Sequence, residues 1–129
     1  MWIAPIFDRS GSDIVNKTSK AFRNVSDINR IEGNTEHLAL ILNLPLQTKQ
    51  WSANQFPSGS EYRRMLENIN AVKQKAGFIG IPVPELPLNT FLKMNDAEQI
   101  LYEAYAAFVR QSQLTIYAGE AFAGDRGVI

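Results

Sequence analysis

The chain has no cysteine and a single histidine, His37, among 129 residues. The first absence excludes a disulfide framework and thiolate metal sites. The second leaves a zinc site short of its usual three or four protein ligands and restricts a nucleophile–histidine–acid triad to His37. No net charge is present either, with 13 basic and 13 acidic side chains. Binding to nucleic acid by phosphate neutralisation needs a cationic face, and this balance shows none. Long hydrophobic runs are missing as well. Uninterrupted runs such as Leu38 to Leu42 are far too short to cross a bilayer. The first residues, Met1 to Asp8, lack the basic and apolar regions of a signal peptide, so the two N-glycosylation sequons at Asn16 and Asn24 are expected to be chance matches.

What is present is ordinary for a globular protein: 45% hydrophobic and 20% charged residues, in a length suited to one domain. The informative feature is a helix start written three times, about 34 residues apart: Ser26-Asp27-Ile28-Asn29-Arg30-Ile31, Ser60-Glu61-Tyr62-Arg63-Arg64-Met65 and Asn95-Asp96-Ala97-Glu98-Gln99-Ile100. Each copy opens on a capping residue followed by an acid, which complements the helix dipole. Apolar residues then recur at spacings of three and four. They are Ile28, Ile31, Leu38 and Leu42 in the first copy, with Thr35 in step. Tyr62, Met65, Ile69, Val72 and Ala76 follow in the second, and Ala97, Ile100, Leu101, Ala104, Tyr105 and Phe108 in the third.

These stripes predict helices from Ser26 to just before Pro45, from Ser60 to Ala76 with Gly77 as the stop, and from Asn95 to about Ser112. A shorter helix is expected from Ser12 to Asn24. Gly33, inside the first long helix, costs about 1 kcal/mol relative to alanine; the expected compensation is a neighbour packed closely against that turn. A tetratricopeptide array shares the period but needs two helices per unit, and each unit here has one.

The connections carry their own signals. Three prolines within Pro82–Pro87 exclude helix from an otherwise apolar stretch, which is expected to lie across the bundle. Pro84-Glu85-Leu86-Pro87 matches P-x-x-P but has no basic residue nearby, and reads as structural. In the tail, Tyr117-Ala118-Gly119-Glu120 and Phe122-Ala123-Gly124-Asp125 form a small repeat, read as a short hairpin or arm. The expected architecture is therefore all-α: a small bundle of three main helices plus one short helix. An extended N-terminal segment and a proline-rich segment lie across it, and a short β-like C-terminal arm closes the chain. Residues 1–114 form the helical bundle domain and 115–129 the arm.

No constellation marks a reaction. His37 lies beside the core position Leu38 and reads as a partly exposed helical histidine. Glu32, Glu36, Glu61 and Glu67 are the acids a two-carboxylate hydrolase would draw on, but no spacing singles out a pair. Arg30 with Asn34, and Arg64 with Asn68, recur at matching places in two copies. Either they make a solvated face, or each reaches a neighbouring connection and fixes it by hydrogen bonds to carbonyls. Asparagine is a poor helix-interior residue, so its recurrence favours a structural bond. Trp2, Trp51, Tyr117, Glu120 and Phe122 are the candidate interface residues, aromatics being enriched at interface hot spots; for Trp51, burial within its own monomer is the first expectation.

The order Trp2…Pro5-Ile6-Phe7-Asp8-Arg9-Ser10…Asp13-Ile14, then Ser26-Asp27-Ile28-Asn29-Arg30-Ile31-Glu32-Gly33-Asn34, then Trp51, then Tyr62-Arg63-Arg64…Asn68-Ile69, then Tyr117-Ala118-Gly119-Glu120, resembles a group of small tail and baseplate-associated structural proteins encoded by phages and prophages of Gram-positive bacteria. The resemblance covers most of the chain and is strongest over residues 6–14 and 26–38. It implies a non-enzymatic virion component of the tail tip or baseplate, assembled in the bacterial host cytoplasm. Such a component is a structural adaptor present in several symmetric copies among other phage tail proteins. No cofactor, metal, nucleic acid or membrane is implied. The competing expectations are a small tail-associated cell-wall hydrolase and a free helical protein-binding regulator.

Overall fold

The computed structural model describes residues 2–12, 25–77, 80–88 and 90–126, with the side chains of Phe91 and of residues 112–126 left aside. Among these residues there are three α-helices and no strand: α1 (Val25–Leu42), α2 (Gly59–Ala76) and α3 (Phe91–Arg126). Each helix packs against both others. The short helix expected from Ser12 to Asn24 lies outside the described residues, apart from a helical Gly11–Ser12 start.

The apolar stripes build one core. Ile28, Ile31 and Leu38 from α1 meet Tyr62, Met65, Ile69, Val72 and Ala76 from α2, and Ala97, Ile100, Leu101 and Ala104 from α3, all buried. Residues three and four apart share a helix face, so three such faces can close around one interior. The proline-rich connection contributes Leu88, which is buried, and Ile81, Val83 and Leu86, which pack half-buried against the same core. Lys73 Nζ donates to the Ile81 carbonyl at 2.7 Å, and Lys93 Nζ to the Pro87 carbonyl at 3.0 Å, fixing both ends of the segment.

The helix ends follow local chemistry, in two places differently from the expected caps. Ser58, not Ser60, caps α2, its hydroxyl accepting from the Glu61 N–H at 3.4 Å. Thr90, not Asn95, serves α3, its Oγ1 accepting from the Lys93 N–H at 3.2 Å. Nothing after Pro87 breaks the helix, so α3 starts a turn early, and the Asn95 side chain is spent elsewhere. Gly77 closes α2 at φ 77°, in the left-handed region where a side chain would be strained, with its N–H turned to the Lys73 and Gln74 carbonyls. Asn43 does the same for α1 at φ 58°. There the Leu44 N–H reaches the Ala39 carbonyl at 2.8 Å.

Two further expectations are corrected. Among the described residues, no atom apart from the helix's own backbone lies within 4 Å of where a Gly33 Cβ would stand, so none of them compensates that glycine by close packing. The tail is helical, not a β-like arm: α3 runs unbroken for 36 residues through Arg126. No proline follows Pro87 in the chain, and the run from Ala104 onward is rich in alanine, the best helix former. Gly119 and Gly124 weaken such a helix without ending it. At 1.5 Å per residue α3 is about 54 Å long, twice the length of α1 or α2.

Candidate functional site

The most unusual feature of the bundle is the number of charged groups inside it. Asp27 and Arg30 on α1, Glu98 on α3 and Arg9 on the N-terminal segment are all buried, Glu98 completely. Arg30 grips Glu98 with two parallel bonds, Nε to Oε1 at 2.5 Å and Nη2 to Oε2 at 2.8 Å. Its Nη2 also reaches Asp27 at 2.6 Å. From the other side Arg9 Nη2 donates to Glu98 Oε2 at 2.5 Å and lies 3.4 Å from Asp27. Burial works against the Arg30 charge, but Glu98 and Asp27 outweigh it and hold the guanidinium above its ordinary range.

A second network lies on the opposite flank of α1. Glu32, also buried, takes a bidentate pair from Arg64, Nη1 to Oε1 at 2.8 Å and Nη2 to Oε2 at 2.7 Å. Trp51 Nε1 donates to the same carboxylate at 2.8 Å. Arg64 further meets Glu61 at 3.1 Å and the Gln47 carbonyl at 2.9 Å. Its hydrogen bonds to Glu32 raise its pKa against a smaller cost of burial.

Between the networks, asparagines hold main chain. A carboxamide offers one donor and one acceptor side by side, as a peptide edge does. Asn34 takes both polar groups of Ile3, accepting its N–H at 2.8 Å and donating to its carbonyl at 2.7 Å. Asn29 does the same for Trp51 at 2.7 and 2.8 Å. Asn95 does so for Arg9 at 3.1 and 2.9 Å. Asn68 donates to the Gln47 carbonyl at 2.8 Å.

Of the residues singled out in the sequence, Asn34, Arg64 and Asn68 reach main-chain carbonyls of the N-terminal segment and of the α1–α2 connection. Arg30 does not: its partners are the carboxylates of Asp27 and Glu98. Trp51 is buried in its own monomer, 6% exposed. Trp2 is half-buried and stacks on Tyr105 at 4.3 Å between centroids, with His37 about equally close to both rings. Tyr117, Glu120 and Phe122 lie on α3, and their side chains are outside the described residues.

Sequence reasoning passed over Arg9, Asn29 and Glu98, read Asn95 only as a cap, and read Asp27 only as a dipole partner. A signal existed. Asp27, Arg30 and Asn34 follow three-and-four spacing directly beside the apolar stripe. Glu98 sits four after Met94 and three before Leu101, an inward place.

Chemically, a carboxylate gripped on both oxygens by guanidinium groups is an anchor. Glu32 and Glu98 are both held this way, and Glu61 is paired with Arg64. Glu36 and Glu67 are exposed. A groove of about 610 Å³ runs over Gly33 between Ile3 and the Thr48–Gln50 stretch. Among the described residues no three metal-capable side chains gather, and no helix is long and apolar enough to cross a membrane. Compared with known protein families, characterised proteins and solved structures, the chain matches none.

Proposed function

We propose that the protein is a non-enzymatic component of a phage tail tip or baseplate, a structural adaptor present in several copies of a symmetric assembly. The observation that carries the proposal is where the buried polar chemistry goes. Asp27, Glu32, Glu98, Arg9 and Arg30 are engaged by one another, by Arg64 and Trp51, or by the chain's own main chain. This is a scaffold that invests its buried charges in fixing two long extended segments on a small bundle. Rigid presentation of segments suits a part that links neighbours, and the order of motifs from Trp2 to Glu120 points to the tail. The long α3 and the half-buried aromatics at Trp2 supply the contact surfaces of this reading.

Mass spectrometry of purified virions tests the proposal. The chain is expected in particles at a fixed stoichiometry to other tail proteins. Its absence from particles sinks the structural role. Purified chain is expected to release no fragments from cell wall, and a lytic signal lost on replacing Glu36 or Glu67 would establish the hydrolase instead.

A further inference from the structure

The N-terminal segment is attached in an unusual way. It meets the helices at every third residue: Ile3 at Asn34, Ile6 at Glu98 through its N–H at 3.1 Å, and Arg9 at Asn95 and Glu98. A period of three is that of an extended polyproline-type chain, and Pro5 lies within it. These hydrogen bonds run through main chain or the Arg9 guanidinium, and Trp2 and Phe7 add ring contacts with Tyr105 and Tyr102. The central core contains no residue of this segment, and only Trp2 packs against it. Ile3 is 46% exposed.

The bundle can therefore keep its core without the segment, but its slot cannot stay empty cheaply. Glu98 would lose two of its partners, the Arg9 guanidinium and the Ile6 N–H. Asn34 and Asn95 would each lose a paired set of bonds. What refills such a slot must be extended, must offer free main-chain groups at a three-residue period, and must end in an arginine. The segment on the page with that chemistry is residues 2–9 of an identical chain.

We propose that the slot between α1 and α3 accepts the N-terminal segment of a second copy, so that copies link by exchanging segments. This deepens the assembly reading above and rests on it. Each seat made between copies repeats one lost within a copy, so exchange costs little in contacts, and the high local concentration inside an assembly favours it.

The experiment mixes two full-length variants, Trp2→Cys and Tyr105→Cys, in equal amounts under mild oxidation, followed by non-reducing electrophoresis. The native chain has no cysteine to interfere, and the two rings stack at 4.3 Å. A disulfide-linked heterodimer is expected, its yield rising with concentration. The yield should drop at least tenfold when the Trp2→Cys chain also carries Arg9→Ala or Ile3→Pro, the latter removing the N–H that Asn34 accepts. No heterodimer, or one formed equally well with both second substitutions, overturns the proposal. Sedimentation of the unaltered chain gives an independent reading: a dimer fraction growing with concentration supports exchange, and a monomer at every concentration contradicts it. Virions containing the chain without segment exchange would leave the tail reading standing and this one refuted.

Discussion

The two flanks of α1 use the same residue types under different exposure. On one side Arg9, Arg30, Asp27 and Glu98 form a cluster in which every side chain is less than a tenth exposed. On the other, Glu32 is equally buried, but Arg64 is 24% exposed and Glu61 35%. The first cluster joins three separate pieces of chain and has given up its water. The second ties α1, α2 and the connection between them, and keeps a wet edge. An interior ion pair is weak support for stability in itself, because desolvation offsets attraction, yet removing one partner leaves the other stranded. The two flanks should therefore respond differently to the same kind of damage.

The largest effect is expected from Glu98→Ala. It strands two guanidinium groups near a single carboxylate, and the loss should be about 3–5 kcal/mol in urea unfolding. A loss below about 1 kcal/mol would show that the cluster relaxes and that the contrast between the flanks is false. Arg64→Met comes next, at about 2 kcal/mol, discounted because water reaches its edge. Part of its contribution should fade in high salt, whereas the Glu98 effect should not. If both respond to salt alike, exposure does not separate the networks. Asn34→Ala releases only the Ile3 clamp and should cost about 1 kcal/mol. Hydrogen exchange should rise in residues 2–9 while α2 stays protected, and protection lost everywhere would mean the segment is integral to the core. The smallest change, Gly33→Ala, should stabilise by about 0.5–1 kcal/mol, since the added methyl meets nothing within 4 Å. A destabilised variant would reveal a contact at that turn.

The same comparison shows what was readable in advance. The stripes through Ile28, Ile31 and Leu38 and through Tyr62 to Ala76 named the core, because burial at helical spacing is a local property of the chain. The Gly77 stop was readable for the same reason. Asn95 was misread as a cap because its residue type fits a cap, while Thr90 lay one turn earlier with equal chemistry. The tail was misread because paired glycines suggest turns, yet only a proline would have forced one. Asn34, Arg64 and Asn68 stood out by recurrence at matching places. Arg9 and Asn29 recur nowhere, so nothing in the chain marked them, and Glu98 was marked only by its inward place three before Leu101.

Periodicity thus determined by itself that this chain makes three amphipathic helices around one core, since every face follows from spacings of three and four residues. Which charge meets which was decided only when the helices packed. Arg9 and Glu98 are 89 positions apart, and neither residue carries information about the other until the core brings α1 and α3 together. The bond then depends on a dry interior that no single segment can supply.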